Sequence, residues 1–189
     1  MAENVTTILG TSGDMAEVTP DAYVKTYAPT GIHAATLKGD AYIWNAVSAD
    51  IGTTDNMILV ANISPGQNLV IHKCVFIGDI AGQIDFKLCT VTGLTLAGTA
   101  IKGINLNSAS GKVAPASAWS DETQTAATDI LFTWYQHLST NGESTTAPMV
   151  VIEFDDAIIV PYDRAFGCDT ILEVNAFYEA SVIGYFIDA

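Results

Sequence analysis

Arginine is nearly missing from this chain. Arg164 is the only one among 189 residues, and with lysine the basic residues number 7 against 21 acids, a net charge of −14. Phosphate groups are held by Lys and Arg, so this balance excludes binding to bare nucleic acid and docking on an anionic membrane surface. Long apolar runs are also missing: no segment has the roughly 20 continuous apolar residues of a membrane helix. The opening MAENVTTILGTSGDM has neither a basic region nor an apolar stretch, so no secretory leader is expected. Cysteine is scarce and odd in number (Cys74, Cys89, Cys168), with no C-x-x-C spacing. Free cysteines in strand-like runs behave as small apolar residues, which fits synthesis in a reducing compartment.

What is present points to β structure. Apolar residues make up 49% of the chain and charged residues only 15%, below the usual quarter, while Thr, Ala, Gly, Ser and Asn are plentiful. The length suits one compact domain, with room for an arm or an inserted loop. Charge is uneven: residues 1–120 carry nine acids and six lysines, residues 121–189 twelve acids and one arginine. An acidic second half suits a basic partner, and equally keeps a protein soluble.

Residues 1–38 are poor in aliphatics and punctuated by Gly10, Gly13, Pro20, Pro29 and Gly31. They predict an extended N-terminal arm, with a β-sandwich domain over 39–189. From Asp40 short β-type runs follow one another: DAYIW (Asp40–Trp44), NMILVANI (Asn56–Ile63), NLVIHKCVFIG (Asn68–Gly78) and QIDFKLCTV (Gln83–Val91). SPGQN (Ser64–Asn68) is a strong turn, with proline presetting φ and glycine free to adopt what its neighbours cannot. In the fourth run Ile84, Phe86 and Leu88 alternate with Asp85, Lys87 and Cys89, as in a strand wet on one face, and DIAG (Asp79–Gly82) is expected to close a hairpin. Residues Thr92–Thr128 predict a long loop excursion with a short strand near Ile101–Leu106. TDILFTWYQHL, PMVVIEFDDAIIVP and DTILEVNAFYEASVIGYFIDA supply the remaining strands, with an Asn141-Gly142 turn between the first two. No amphipathic helix of three turns is found. The expected fold is all-β, an antiparallel β-sandwich of jelly-roll type with an extended N-terminal arm.

The candidate chemistry is thin. His33, His72 and His137 show no H-x-H or H-E-x-x-H spacing, and read as ordinary strand or arm residues. No nucleophile elbow, P-loop or dinucleotide fingerprint is present. Glu153 and Asp155, two apart, would share a strand face, and could in principle serve as a glycosidase pair. With Asp156 and Asp163 they could instead ligate calcium. The plainer reading is the solvated end of a strand, with Ala157–Val160 a buried strand, Pro161 a corner and Arg164 a local partner for those carboxylates. Trp44, Trp119, Trp134 and Tyr135 could stack on sugar rings, Trp119 being the best placed for exposure and Trp134 a core residue. No catalytic residue, cofactor or metal is assigned.

Four stretches carry a family resemblance: GDAYIWNAVSADIGTTDNMILVANISPGQNLVIHKCVFIG, GINLNSASGK (Gly103–Lys112), DDAIIVPYDRAFGCDTILEV and ILEVNAFYEA. In their order they resemble the capsid decoration, or cement, proteins of tailed-bacteriophage heads. The sequence departs from that pattern at Tyr162-Asp163-Arg164, where a glycine-rich corner is usual, and in extending past Glu179. The resemblance implies a virion structural protein, made in the host cytoplasm, that binds the major capsid protein on the outside of the head as a homotrimer. A carbohydrate- or host-surface-binding module of a phage fibre is the alternative.

Overall fold

Alternating apolar and polar residues, rich in Ile, Val, Phe and Tyr, place most of the chain in strands. The computed structural model describes residues 6–9, 15–18, 24–27, 31–48, 55–78, 82–95, 97–123, 129–136, 149–170 and 178–189. Near the N-terminus β1 (Thr6–Leu9), β2 (Met15–Val18) and β3 (Val24–Tyr27) pair antiparallel in that order. Helix α1 (Gly31–Lys38) follows. The segment expected as an arm therefore holds a small meander and a two-turn helix within its described residues.

The body begins with β4 (Ala41–Ser48), β5 (Asp55–Asn62), β6 (Gln67–Gly78) and β7 (Gly82–Thr90). An excursion carries β8 (Thr99–Ile101), β9 (Ile104–Asn105), β10 (Ala116–Ser120) and β11 (Glu122–Thr123). Then come β12 (Asp129–Gln136), β13 (Val150–Val160), β14 (Arg164–Thr170) and β15 (Tyr178–Asp188). One sheet runs β12-β7-β14-β5-β10-β8, with β11 also on β5; the other runs β13-β6-β15-β4-β9. The pairings within both are antiparallel. The body is an all-β, two-sheet structure.

Chain order corrects the hairpin expected at Asp79–Gly82. β6 and β7 lie in opposite sheets, and so do β4 and β5, β5 and β6, β13 and β14, and β14 and β15. Among the eight long strands only β7 and β12, separated by the excursion, are sequence neighbours that pair. Short turns such as Ser64–Gln67, with Gly66 at φ +84° and Gln67 N–H donating to Ser64 O, therefore step between sheets. Turn chemistry is the same for either course; the apolar inner faces decide it.

Those inner faces meet in one core that includes Trp44, Ile58, Val60, Leu69, Ile71, Phe76, Phe86, Phe166 and Val182. Phe86 stacks on Phe132 with ring centroids 4.4 Å apart, and Phe154 stands edge-on to Phe86, Phe132 and Phe166. Each fully buried large side chain contributes about 1.5–3 kcal/mol. Cys74, Cys89 and Cys168 are free and buried, as small apolar residues would be.

Two expectations about faces change. Asp85, Lys87 and Cys89 are buried, not wet: Leu94 and Trp119 pack on Cys89's cluster, while Asp85 and Lys87 lie against Thr133 of β12 and Asp169 of β14. Ala157–Val160 lies on an edge strand: Ile159 is half exposed, and only Val160 is fully covered.

Candidate functional site: the docking site of the first helix

Asp155 and Asp156, two of the four acids grouped in the sequence, lie at a break in β13. Register runs regularly to Glu153 opposite Lys73, then resumes with Ile158 opposite Ile71. Phe154, Asp155, Asp156 and Ala157 thus all stand against His72. To make that bulge Asp155 and Asp156 adopt φ of +47° and +62°. Left-handed backbone is costly for most L-residues and tolerated best by Gly, Asn and Asp, which accounts for the residue type at both positions.

The bulge turns Asp156 toward β6 and β15. His72 Nδ1 donates to Asp156 Oδ1 across 2.9 Å, a contact in which the carboxylate can only accept. The Tyr185 hydroxyl, from β15, also donates to Asp156; burial, that hydrogen bond and the nearby charge push its pKa up to about 12. Glu153 and Asp155 stay exposed and Asp163 sits at the next corner, its N–H donating to Asn62 O. Among the described residues no group of three or more His, Cys, Asp or Glu is arranged to hold a metal ion. Arg164 partners none of these acids: its Nη2 donates to Asp129 Oδ2, 3.1 Å away on β12.

Helix α1 rests on this cluster. A Cβ built on Gly31 would stand 2.1 Å from the Tyr185 hydroxyl oxygen and 2.9 Å from Asp156 Oδ2, so only glycine fits the first position. A carboxylate there also faces the positive end of the helix dipole. Apolar contact is small: Ala35 alone is buried within α1, in a cluster with Ala41, Val70 and Tyr185 and with Ile32 alongside.

The other end of α1 is closed by hydrogen bonds. Gly39, at φ +75°, donates its N–H to Thr36 O, and Asp40 N–H donates to Ala35 O, the Schellman pattern. Asn105 Nδ2 donates to Gly39 O at 2.8 Å and Asn107 Nδ2 to Leu37 O at 3.3 Å. Both asparagines come from the stretch GINLNSASGK. That stretch and the Asp155-Asp156 turn, far apart in sequence, meet opposite ends of one short helix, the first through hydrogen bonds and the second through Asp156 packed against Gly31. The helix itself gave little sequence signal, having no acid in its first turn and a weakly amphipathic composition.

A second polar group lies on the outer side of the other sheet. Lys87 Nζ and Asp169 Oδ2 form a buried ion pair, Asp169 being opposite Asp85 on one side and Asn56 on the other. Asp85 accepts from Thr133 at 2.6 Å and from Gln83 at 3.0 Å, and Asn56 Nδ2 donates to Glu122 O. Burial raises the Asp169 pKa, Lys87 opposing and Asp85 and Asp55 reinforcing it. The Glu122 carboxylate accepts from Thr95 Oγ1 and from Gly98 N–H, pinning the excursion to β5.

Of the remaining candidates, His33 is exposed, and His137 lies outside the described residues, as do the Asn141-Gly142 turn and residues 171–177 of the last expected strand. Trp44 is fully buried. The two other tryptophans exchange their expected places: Trp119 packs on the Leu59–Ala165 cluster, whereas Trp134 is 41% exposed beside the exposed Tyr135. Trp134 alternates correctly with Phe132, but β12 ends its sheet and its rim is open. No known protein family, curated protein or solved structure matches this chain.

Proposed function

We propose that this protein is a structural component of a tailed-phage virion that binds the major capsid protein on the outside of the head and stabilises the shell, acting as a homotrimer and not as an enzyme. The observation that carries the reading is the convergence on α1. GINLNSASGK and the turn in DDAIIVPYDRAFGCDTILEV, two of the stretches that resemble decoration proteins, are those that meet the two ends of α1. A segment so anchored lies ready to contact a neighbour, and the acidic second half suits a basic partner.

Two further features support the reading. We read the strand order as a jelly roll: the eight long strands, taken in chain order, fall into β4-β15-β6-β13 facing β5-β14-β7-β12, the wiring of two Greek keys. The edge strand β12 exposes Ile130, Leu131, Trp134 and Tyr135 without a charge between Ile130 and Tyr135, which suits contact between copies of a chain at −14. Co-sedimentation of the full chain with DNA-filled heads of the phage that encodes it tests the proposal. Saturable pelleting at a fixed ratio to capsid protein is expected; a chain left wholly in the supernatant overturns it.

The exposed Trp134 and Tyr135 give a carbohydrate-binding module of a phage fibre as the second reading. A glycan array, with Trp134→Ala as control, separates the two: binding lost in that variant supports the second.

A further inference from the structure

The two ends of α1 are held by different chemistry. At its C-terminal end Ala35 O, Thr36 O, Leu37 O and Gly39 O each accept a hydrogen bond, from Asp40, Gly39, Asn107 and Asn105 in turn. The Tyr42 hydroxyl adds a further one to Gly39 O at 3.2 Å. At its N-terminal end stand Asp156 and the Tyr185 hydroxyl, and the apolar contact of the whole helix is little more than Ala35 and Ile32. So small an apolar contact lets an element open on its own while the core beneath it stays shut.

The aspartate that provides the N-terminal hold is also expensive to keep in place. It stands in a bulge with two successive non-glycine residues in the left-handed region, a cost the surroundings must offset. Its carboxylate accepts from His72 and from Tyr185, and its Oδ2 packs against Gly31 at the start of α1. Beneath the helix lie Ala41, Val70 and the ring of Tyr185, covered by nothing else that carries a buried apolar side chain in that cluster.

We propose that His72, Asp156 and Tyr185 form a clasp that holds α1 shut against the outer face of the β13-β6-β15-β4 sheet, and that opening the clasp releases the helix about a hinge at Gly39 while the two-sheet body remains folded. The closed state covers the Ala41–Val70–Tyr185 patch; the open state exposes that patch and frees α1. The inference concerns the isolated chain and stands or falls independently of whether it binds phage heads.

Amide hydrogen exchange of the full chain, read by mass spectrometry on peptides spanning 31–40 and on β6 and β15, tests it. Asp156→Asn keeps the shape and removes the charge. It should speed exchange in 31–38 by about tenfold, with β6 and β15 unchanged. Gly31→Ala leaves the clasp residues untouched but forces a Cβ into the Tyr185 hydroxyl, and should give the same pattern. Tyr185→Phe, losing one donor and keeping the ring, should move exchange in the same direction by less. Unchanged exchange in 31–38 in both Asp156→Asn and Gly31→Ala overturns the clasp. So does equal acceleration of α1, β6 and β15 in either variant, since the helix would then open only with the body.

Discussion

Lys87 shows how far one residue's setting departs from what its place in the sequence suggests. Alternation with Ile84, Phe86 and Leu88 put it on a solvated face, yet it is buried against Asp169 with Asp85 close by. Removing one partner of such a pair leaves the other charge buried alone. Lys87→Met is therefore expected to cost about 3–5 kcal/mol in urea unfolding, and the double variant Lys87→Met/Asp169→Leu to recover most of it. The cysteines behave alike. Burial pushes Cys89 up to about 11 and holds Cys74, beside Cys168, well above its ordinary value. A thiol reacts as its thiolate, so at pH 8 the native chain should leave a disulfide reagent such as DTNB unreacted, and the urea-unfolded chain should titrate three thiols.

At the scale of elements, the β13 bulge separates two adjacent aspartates by role. Asp155 is exposed and has the left-handed backbone without a contact to His72 or Tyr185, so Asp155→Gly should leave the urea midpoint unchanged or raise stability by up to about 1 kcal/mol. Asp156→Gly gains the same backbone relief but loses the contacts to His72 and Tyr185, and should lower stability. Tyr185 supplies a pH dependence with a definite sign. Its folded pKa of about 12 lies above the ordinary tyrosine value, so its contribution is complete below pH 10 and is lost as pH rises toward 12. Circular dichroism over that range should show stability falling earlier in wild type than in Tyr185→Phe. Asp156 faces the hydroxyl from β13, itself held by His72 of β6, and Gly31 faces it from α1.

At the scale of the whole molecule the issue is assembly. Light scattering at micromolar concentration should return a mass near three times 20.0 kDa if the chain forms the trimer proposed, and a monomer would count against it. Replacing apolar residues on the β12 rim, as in Ile130→Glu with Tyr135→Glu, should reduce that mass without altering the unfolding midpoint by more than about 0.5 kcal/mol, since both side chains are exposed. Deletion of residues 1–30 leaves α1 in place and should abolish pelleting with heads while preserving the body; a cut within α1 would also uncover Val70 and Tyr185.

The sequence by itself determined that the chain is β-rich, that Ser64–Asn68 is a turn, and that Ile84, Phe86 and Leu88 share one face of their strand, because period-2 alternation and turn chemistry are local. It also grouped Glu153, Asp155, Asp156 and Asp163 as candidate acids and marked GINLNSASGK as a stretch of family resemblance. Only the tertiary structure decided that β6 and β7 belong to different sheets, that the face of Asp85 and Lys87 is covered, and that Arg164 reaches Asp129 and not its neighbours. A turn has the same residues whether it closes a hairpin or steps across a sandwich, and alternation names a face without saying what lies on it. The meeting of two distant loops on α1 was likewise invisible, since helix ends are satisfied there by side chains more than 60 residues away.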